Sequence, residues 1–394
     1  MHYTAAPVTG GVEAVIDEHA RLLAGAGHAV TVIAGRGDCD LVPEVDSRHP
    51  DVEELAVALA RGDRCEALYE SLRDRITAAL RPKLDGVDVV IAHNVMTMPF
   101  NLPLVAALTA LPPPVIAWTH DLAWTNPRYA EYHRPGPPYT LLQAAQPGTR
   151  YVAISGLRRR ELTQLFEVPE ASVPVIPNGI DPIAFLDVSE RTLQLVERAG
   201  MAAADPLLLV PVRITRRKRL ELALRALAEL RTSTPSAGLL VCGPLGPHSA
   251  DNRAYATELQ ELRSQLGLER NAAFLSEQAA GADHPVDARA MRELYRLADV
   301  VLLTSESEGF GLPVLEAGLA RVPVVAPDLS VLREVGGSDL VTFRLDAGPG
   351  EIAAAVLRAL QLPASRLRSR VMRGYTWAAV LDRMEAEIEA AVGS

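Results

Sequence analysis

The chain has 394 residues and a mass of 42.4 kDa, long for a single core, so two domains are expected. It is 48% hydrophobic and 22% charged, as ordinary globular proteins are, and its net charge of −10 argues against a protein built to coat nucleic acid or an anionic membrane. Three scattered cysteines, Cys39, Cys65 and Cys242, lack metal-ligand spacing and fit a reduced, cytoplasmic compartment.

The opening residues MHYTAAPVTGG lack the basic start and apolar core of a secretory leader, so none is expected. A first strand there would be only about three residues long. Over 12–26, Val12, Val15, Ile16, His19, Leu22 and Leu23 recur at spacings of three and four, which predicts a helix ended by Gly27. Short apolar, β-branched runs follow at 29–35, 87–93, 114–120, 149–155 and 172–178, with helical segments between them. Pro103 and Pro112 to Pro114 interrupt the most apolar stretch, 101–118, so a membrane-spanning helix is not expected. Pro and Gly cluster in 134–148, which reads as a long functional loop. A second series of runs lies at 207–213, 238–243, 271–276, 299–305 and 322–327, and the closing segment 375–392 is one amphipathic helix. Near-continuous apolar strands alternating with helices predict parallel sheets covered on both faces. Two such series make two doubly wound α/β domains joined near PNGIDP (177–182), with ligands expected beyond the carboxyl ends of the strands.

Four motifs could carry chemistry. In SESEGFGLPVLE (305–316), Pro313 suits the first position of a helix, and the amides of Gly309, Phe310, Gly311 and Leu312 would open outward, a natural seat for phosphate. Glu308 and Glu316 bracket those amides, and an ionised carboxylate only accepts hydrogen bonds. Hydroxyl groups on either side of a phosphate, as in a sugar nucleotide, would satisfy all of these groups. The plainer reading leaves Glu308 solvated and Glu316 merely favouring a first helical turn. In VRITRRKRLELAL (212–224), Arg213 and Lys218 stand across a strand-to-helix turn and suit a diphosphate, whereas Arg216, Arg217 and Arg219 read as solvated. In TGGVEAVI (9–16), Gly10 and Gly11 precede the first helix as a second amide-rich start, or as a plain turn. In WTHDLAWTNPRY (118–129), His120 ends a strand where fold logic places site residues, although a strand-end histidine is often structural.

Together these residues resemble the retaining glycosyltransferases of family 4, which have the GT-B fold. The resemblance covers nearly the whole chain and is most specific in the E-x7-E pattern of Glu308 and Glu316. Arg213 and Lys218, Gly10 and Gly11, PNGID (177–181), His120 and the Trp377-bearing final helix support it. The resemblance implies two Rossmann-like domains facing across a cleft: 1–178 on the acceptor side, 179–373 on the donor side, and a helix, 374–394, returning to the first. It implies hexosyl transfer from a nucleotide-diphosphate sugar to a sugar-containing acceptor, with retention and without a metal or other cofactor. Glu316 would bind ribose and Glu308 the donor sugar. Arg213, Lys218 and the 309–312 amides would neutralise the diphosphate, Gly11 would admit the donor, and His120 would touch the donor sugar. The family often has Gly before the Arg and after the Lys, where this chain has Val212 and Arg219.

The stretch 121–148 holds Trp124, Tyr129, Tyr132 and Tyr139, flat faces on which sugar rings pack, along with Asn126, Arg128, His133 and Arg134. It is expected to shape the acceptor pocket with Trp124, Asn126 and Arg128; alternatively, its aromatics pin a long loop to the domain. No nucleic-acid partner is expected, and peripheral contact with a membrane stays open. Two rival functions share the fold, a sugar-nucleotide epimerase and a non-catalytic nucleotide-sugar sensor. The sequence leaves nucleotide, sugar and acceptor unidentified.

Overall fold

The computed structural model describes residues 1–134, 136–245, 250–278 and 286–393, with the side chains of Ala250, Arg366, Leu367 and Ser369 left aside. Pro135 of the predicted loop lies outside the described residues. The chain divides into two compact units, Met1–Ile180 with Arg373–Ser394, and Asp181–Met372. Both are α/β, and among the described residues every strand pairing is parallel.

In the first unit the strands are β1 (Ile33–Ala34), β2 (Asp40–Leu41), β3 (Val90–His93), β4 (Val115–Thr119) and β5 (Thr149–Ala153), pairing as β1-β2 and β3-β4-β5. Residues 1–3 lie between the two sets. His2 bridges Ala34 on one side, and the His93 amide donates to the Met1 carbonyl on the other. The predicted run 29–35 gives a strand only at its last residues, because its first half is exposed and has no neighbour to pair with. The run 172–178 gives one bridge, Ala153 to Val175, because Pro174 and Pro177 cannot donate to a ladder. The first helix spans Gly11–Gly25, and Gly27 follows at φ 98°.

In the second unit the strands are β6 (Leu207–Val210), β7 (Gly238–Val241), β8 (Ala272–Phe274), β9 (Val300–Leu302), β10 (Val324–Pro327) and β11 (Val341–Phe343). They form one sheet in the order β11-β10-β9-β6-β7-β8. Read from the β8 edge this is the Rossmann order 3-2-1-4-5-6, with its reversal between β6 and β9. Strands β2 and β11 were not expected, being too short for periodicity to reveal. The strands β6, β7, β9 and β10 are buried along their whole length, which is why they read as unbroken apolar runs.

The last helix, Trp377–Val392, belongs to the first unit. Thr376 caps it through a hydrogen bond from the Ala379 amide. Trp377, Val380 and Met384 are buried against Val15, Ile116, Trp118 and Val152. Ile180 bridges Thr376, and a Cβ on Gly179 would lie 2.5 Å from the Trp377 ring. Gly179 of the PNGID motif is therefore small because the indole lies on it.

Candidate active site

Reversal of strand order opens a crevice at the carboxyl ends of β6 and β9, and two of the four motifs leave those strands there. After β6 the chain runs through Arg213 into a short turn, Arg216–Lys218, before the helix Leu220–Arg231. After β9 it runs through Ser305 and Glu308 into the helix Leu312–Ala320. The two loops are tied together: Thr304 Oγ1 donates to the Lys218 carbonyl at 2.8 Å, and the Glu306 amide to the Arg217 carbonyl at 3.0 Å.

Between these loops Lys218 Nζ meets Glu308 Oε1 at 2.6 Å, with both side chains about nine-tenths buried. Ser305 Oγ donates to the same carboxylate oxygen at 2.6 Å. Arg217 Nη1 donates to the Ser307 carbonyl at 2.5 Å and stands 3.6 Å from Glu308 Oε2. Arg217 thus joins the cluster at its rim while staying exposed, as its solvated reading expects. Arg216 pairs instead with Glu258, and Arg219 donates to the Leu345 carbonyl. Arg213 is exposed and has no hydrogen-bond or ion-pair partner among the described residues. The Lys218–Glu308 pair joins residues 90 positions apart, which spacing along the chain could not reveal.

Gly311 adopts φ 101°, and a Cβ on it would lie 2.7 Å from Leu332 Cδ2, so the turn into the helix needs glycine twice over. The amides of Gly309, Phe310, Gly311 and Leu312 donate no backbone hydrogen bond among the described residues. Four donors at a helix start are therefore left for a ligand. Glu316, one turn into that helix, is exposed and accepts one hydrogen bond among the described residues, from the Tyr295 hydroxyl at 2.5 Å. Burial, then the Glu316 carboxylate, raises the Tyr295 phenol, keeping it a donor. The carboxylate keeps further acceptor sites for hydroxyls.

In the first unit His120 lies just past β4. Burial first, then the nearby His2 ring, lowers it to about 4, so it is neutral at pH 7. Its Nε2 is 3.3 Å from His93 Nδ1. Its main chain is held from two sides. Asn94, in the left-handed region at φ 60°, accepts from the His120 and Asp121 amides at 3.2 and 2.9 Å. Arg158 donates to the His120 carbonyl at 3.2 Å and pairs with Asp121 Oδ1 at 3.1 Å. Neither Asn94 nor Arg158 stands out in the sequence, because each acts on a backbone distant along the chain. Gly10 is extended, at φ −171°, and a Cβ there would lie 2.0 Å from Glu13 Oε2. The Glu13 carboxylate therefore lies against Gly10, whereas the space beside Gly11 is open.

Residues 9–183 match Glycosyltransferase Family 4, and residues 196–373 match Glycosyl transferases group 1. The chain belongs to the family 4 glycosyltransferases. A D-inositol 3-phosphate glycosyltransferase of Kineococcus radiotolerans is 31% identical over 68% of this chain and 64% of its own length, less than two thirds of that relative. One of the same name from Geodermatophilus obscurus is 28% identical over 97% of this chain and 85% of its own. A solved glycosyltransferase from Rickettsia africae covers 99% of both chains at 16% identity with a TM-score of 0.36, a level at which neither donor nor acceptor carries across.

Family membership leaves the acceptor loop open, and the structure shows how that loop is held. Trp124 stacks on His133 with ring centroids 5.0 Å apart and packs against the core, as Tyr132 does; Tyr139 is buried in that core. Asn126 donates to Asp121 Oδ2 at 3.0 Å and accepts from the Arg128 amide. Phe100 meets Tyr129 edge-on, and Arg128 is exposed. Most of the aromatics that looked ready for a sugar ring are occupied in fixing the loop. No helix among the described residues is long and apolar enough to cross a membrane.

Proposed function

We propose that the protein transfers a hexosyl group from a nucleotide-diphosphate sugar to a hydroxyl of a sugar-containing acceptor, retaining configuration and requiring no metal ion. The observation that carries this reading is the meeting of the Arg213–Lys218 and Glu308–Glu316 loops at the strand-order reversal of a Rossmann sheet. The open 309–312 amides, with Lys218 and Arg213, would take the diphosphate; Glu316 would accept from ribose and Glu308 from the donor sugar. The bond from the anomeric carbon to the diphosphate oxygen breaks, and its electron pair leaves with the phosphate. The acceptor oxygen attacks from that same face, and its proton passes to the departing phosphate. Stabilising charge on the leaving diphosphate is the main contribution asked of the protein. Neutral His120 would serve as a hydrogen-bonding residue toward the donor sugar, and Gly11, with open space beside it, would leave room for the donor.

A thermal-shift panel of UDP, GDP, ADP and their sugars tests the donor half, since a ligand bound at 100 times its Kd stabilises by roughly 2.7 kcal/mol. One nucleotide should raise Tm. Glu316→Ala should abolish the shift given by the free nucleoside diphosphate, whereas Glu308→Ala should weaken mainly the contribution of the sugar. No shift with any nucleotide would overturn the reading. Transfer should survive EDTA, and a complete, metal-reversible loss would refute metal independence. The relatives named for D-inositol 3-phosphate put cyclitol phosphates among the acceptors to try.

A further inference from the structure

The turn that carries Lys218 is held by two neighbours. One is the loop after β9, through the Thr304 and Glu306 bonds to the Lys218 and Arg217 carbonyls. The other is the helix Ala250–Gln265, which follows β7. Arg219, at φ 49°, stands at the N-cap of the helix Leu220–Arg231 and gives it no side-chain cap. The first amides of a helix have no carbonyl within the helix to meet. Tyr255, 3% exposed, supplies a partner from outside: its hydroxyl accepts from the Leu220 amide at 2.8 Å and donates to the Glu221 carboxylate. Burial first, then the bond to Glu221, raises the phenol, so it keeps its proton for that donation.

Glu258 lies one turn further along the same face of that helix. Arg216 donates to it through both terminal nitrogens, at 2.9 and 2.6 Å, and the Arg216 guanidinium lies 5.0 Å from the centroid of the Tyr255 ring. The helix Ala250–Gln265 thus pins residue 216 at one end of the turn and residue 220 at the other. Lys218 lies midway, with its ammonium 2.6 Å from Glu308. The two grips differ in kind. The Tyr255 bond to the Leu220 amide is buried, whereas Arg216 and Glu258 each leave more than half of the side chain open to water, where an ion pair contributes little.

Resting on the glycosyl-transfer reading, we propose that Tyr255 is a positioning residue for the leaving diphosphate: it touches no ligand, and by capping the helix behind the turn it sets where Lys218 meets the phosphate. Tyr255→Phe keeps the ring beside Arg216 and removes only the cap. The test is calorimetry with each of UDP, GDP and ADP against its own monophosphate, since the ratio of the two affinities isolates what the second phosphate gains from Lys218 and Arg213. Wild-type protein should prefer one diphosphate over its monophosphate. Tyr255→Phe should lower that preference about tenfold and kcat by a similar factor, with monophosphate affinity and acceptor KM nearly unchanged. Glu258→Gln, which frees Arg216 at the surface, should lower the preference about threefold. Arg263→Ala is the structural comparison. On the same helix Arg263 pairs with Glu277 at 3.0 Å and lies over the Phe274 ring, so its loss should lower Tm and leave the preference intact. The proposal is overturned if Tyr255→Phe keeps the wild-type preference, as a merely structural residue would, or if Arg263→Ala lowers the preference as much. Should the phenylalanine variant not fold, Glu258→Gln decides, and an unchanged preference there overturns the role. Wild-type protein that binds none of the diphosphates refutes the glycosyl-transfer reading and removes the role with it.

Discussion

The two units keep their functional groups ready by opposite means. The second holds a charged pair out of water: Lys218 and Glu308 sit in contact, with Ser305 and Arg217 completing their hydrogen bonds. The first holds titratable rings neutral: His19, His93 and His120 are each depressed by burial before anything else. Every histidine among the described residues lies in the first unit, as do all three tryptophans, Trp118, Trp124 and Trp377. A buried ion pair needs both partners, whereas a buried neutral ring needs only the absence of a proton. The two halves should therefore fail under different insults.

The largest effect should come from breaking the pair. Lys218→Ala leaves the Glu308 carboxylate buried without its ammonium, which should cost about 3–5 kcal/mol of stability as well as on the order of 10²-fold in turnover. The Lys218→Ala, Glu308→Ala double variant should regain most of the stability and none of the turnover, read by denaturant melts beside rate assays. Exposed Arg213 provides the contrast, since Arg213→Ala should lower turnover comparably at unchanged Tm. A Lys218→Ala protein as stable as wild type would mean the pair contributes nothing to the fold.

Acid should act on the first unit. Folded His120 takes a proton only near pH 4 and His19 only near pH 3, whereas an unfolded histidine does so near pH 6.5. Between about 6.5 and 4 the unfolded state therefore binds more protons, and stability falls as pH falls through that window. Tryptophan fluorescence reports on the first unit alone and should lose its native signal at higher pH than far-ultraviolet circular dichroism loses its remainder. Coincident transitions would refute a difference in acid sensitivity.

A smaller effect should follow from loosening His120 without touching it. Arg158→Ala removes the clamp on the His120 carbonyl and Asp121 carboxylate and should lower kcat about tenfold, with little change in nucleotide affinity. Arg158→Lys should restore little, because a single ammonium cannot reproduce the fork. An equal loss of nucleotide affinity would mean Arg158 merely holds the unit together. The smallest effect belongs to Arg219, whose φ of 49° is one glycine adopts without strain. Arg219→Gly should change stability by less than about 1 kcal/mol, the relief of strain being offset by loss of the bond to Leu345. Melting temperatures of the two proteins measure the balance.

The same position shows what was legible in the sequence. Glycine is frequent after this lysine in the family, and the left-handed turn explains why. The buried strands of the second unit were plain because both faces are covered, leaving unbroken runs such as Leu207–Val210. The first unit was less legible, because its strands shorten where Pro174, Pro177 or an exposed edge interrupts the ladder. Motif residues on a single loop, such as Glu308 through Glu316, could be read together. Partners joined only by folding could not, among them Lys218 with Glu308, Tyr295 with Glu316, and Arg158 with His120. Glu13 was visible but unremarked, since nothing in its spacing tells that its carboxylate folds back over Gly10.

The return of helix Trp377–Val392 to the first unit bears on how the chain is made. The second unit is continuous in sequence and can begin to fold once residue 372 has cleared the ribosome. The first unit, synthesised earlier, cannot finish, because Val15, Ile116, Trp118 and Val152 lose their cover until the last helix arrives. For that interval an apolar face stands open to water on a nascent chain, in reach of chaperones and of neighbouring chains. The half made first is the half completed last.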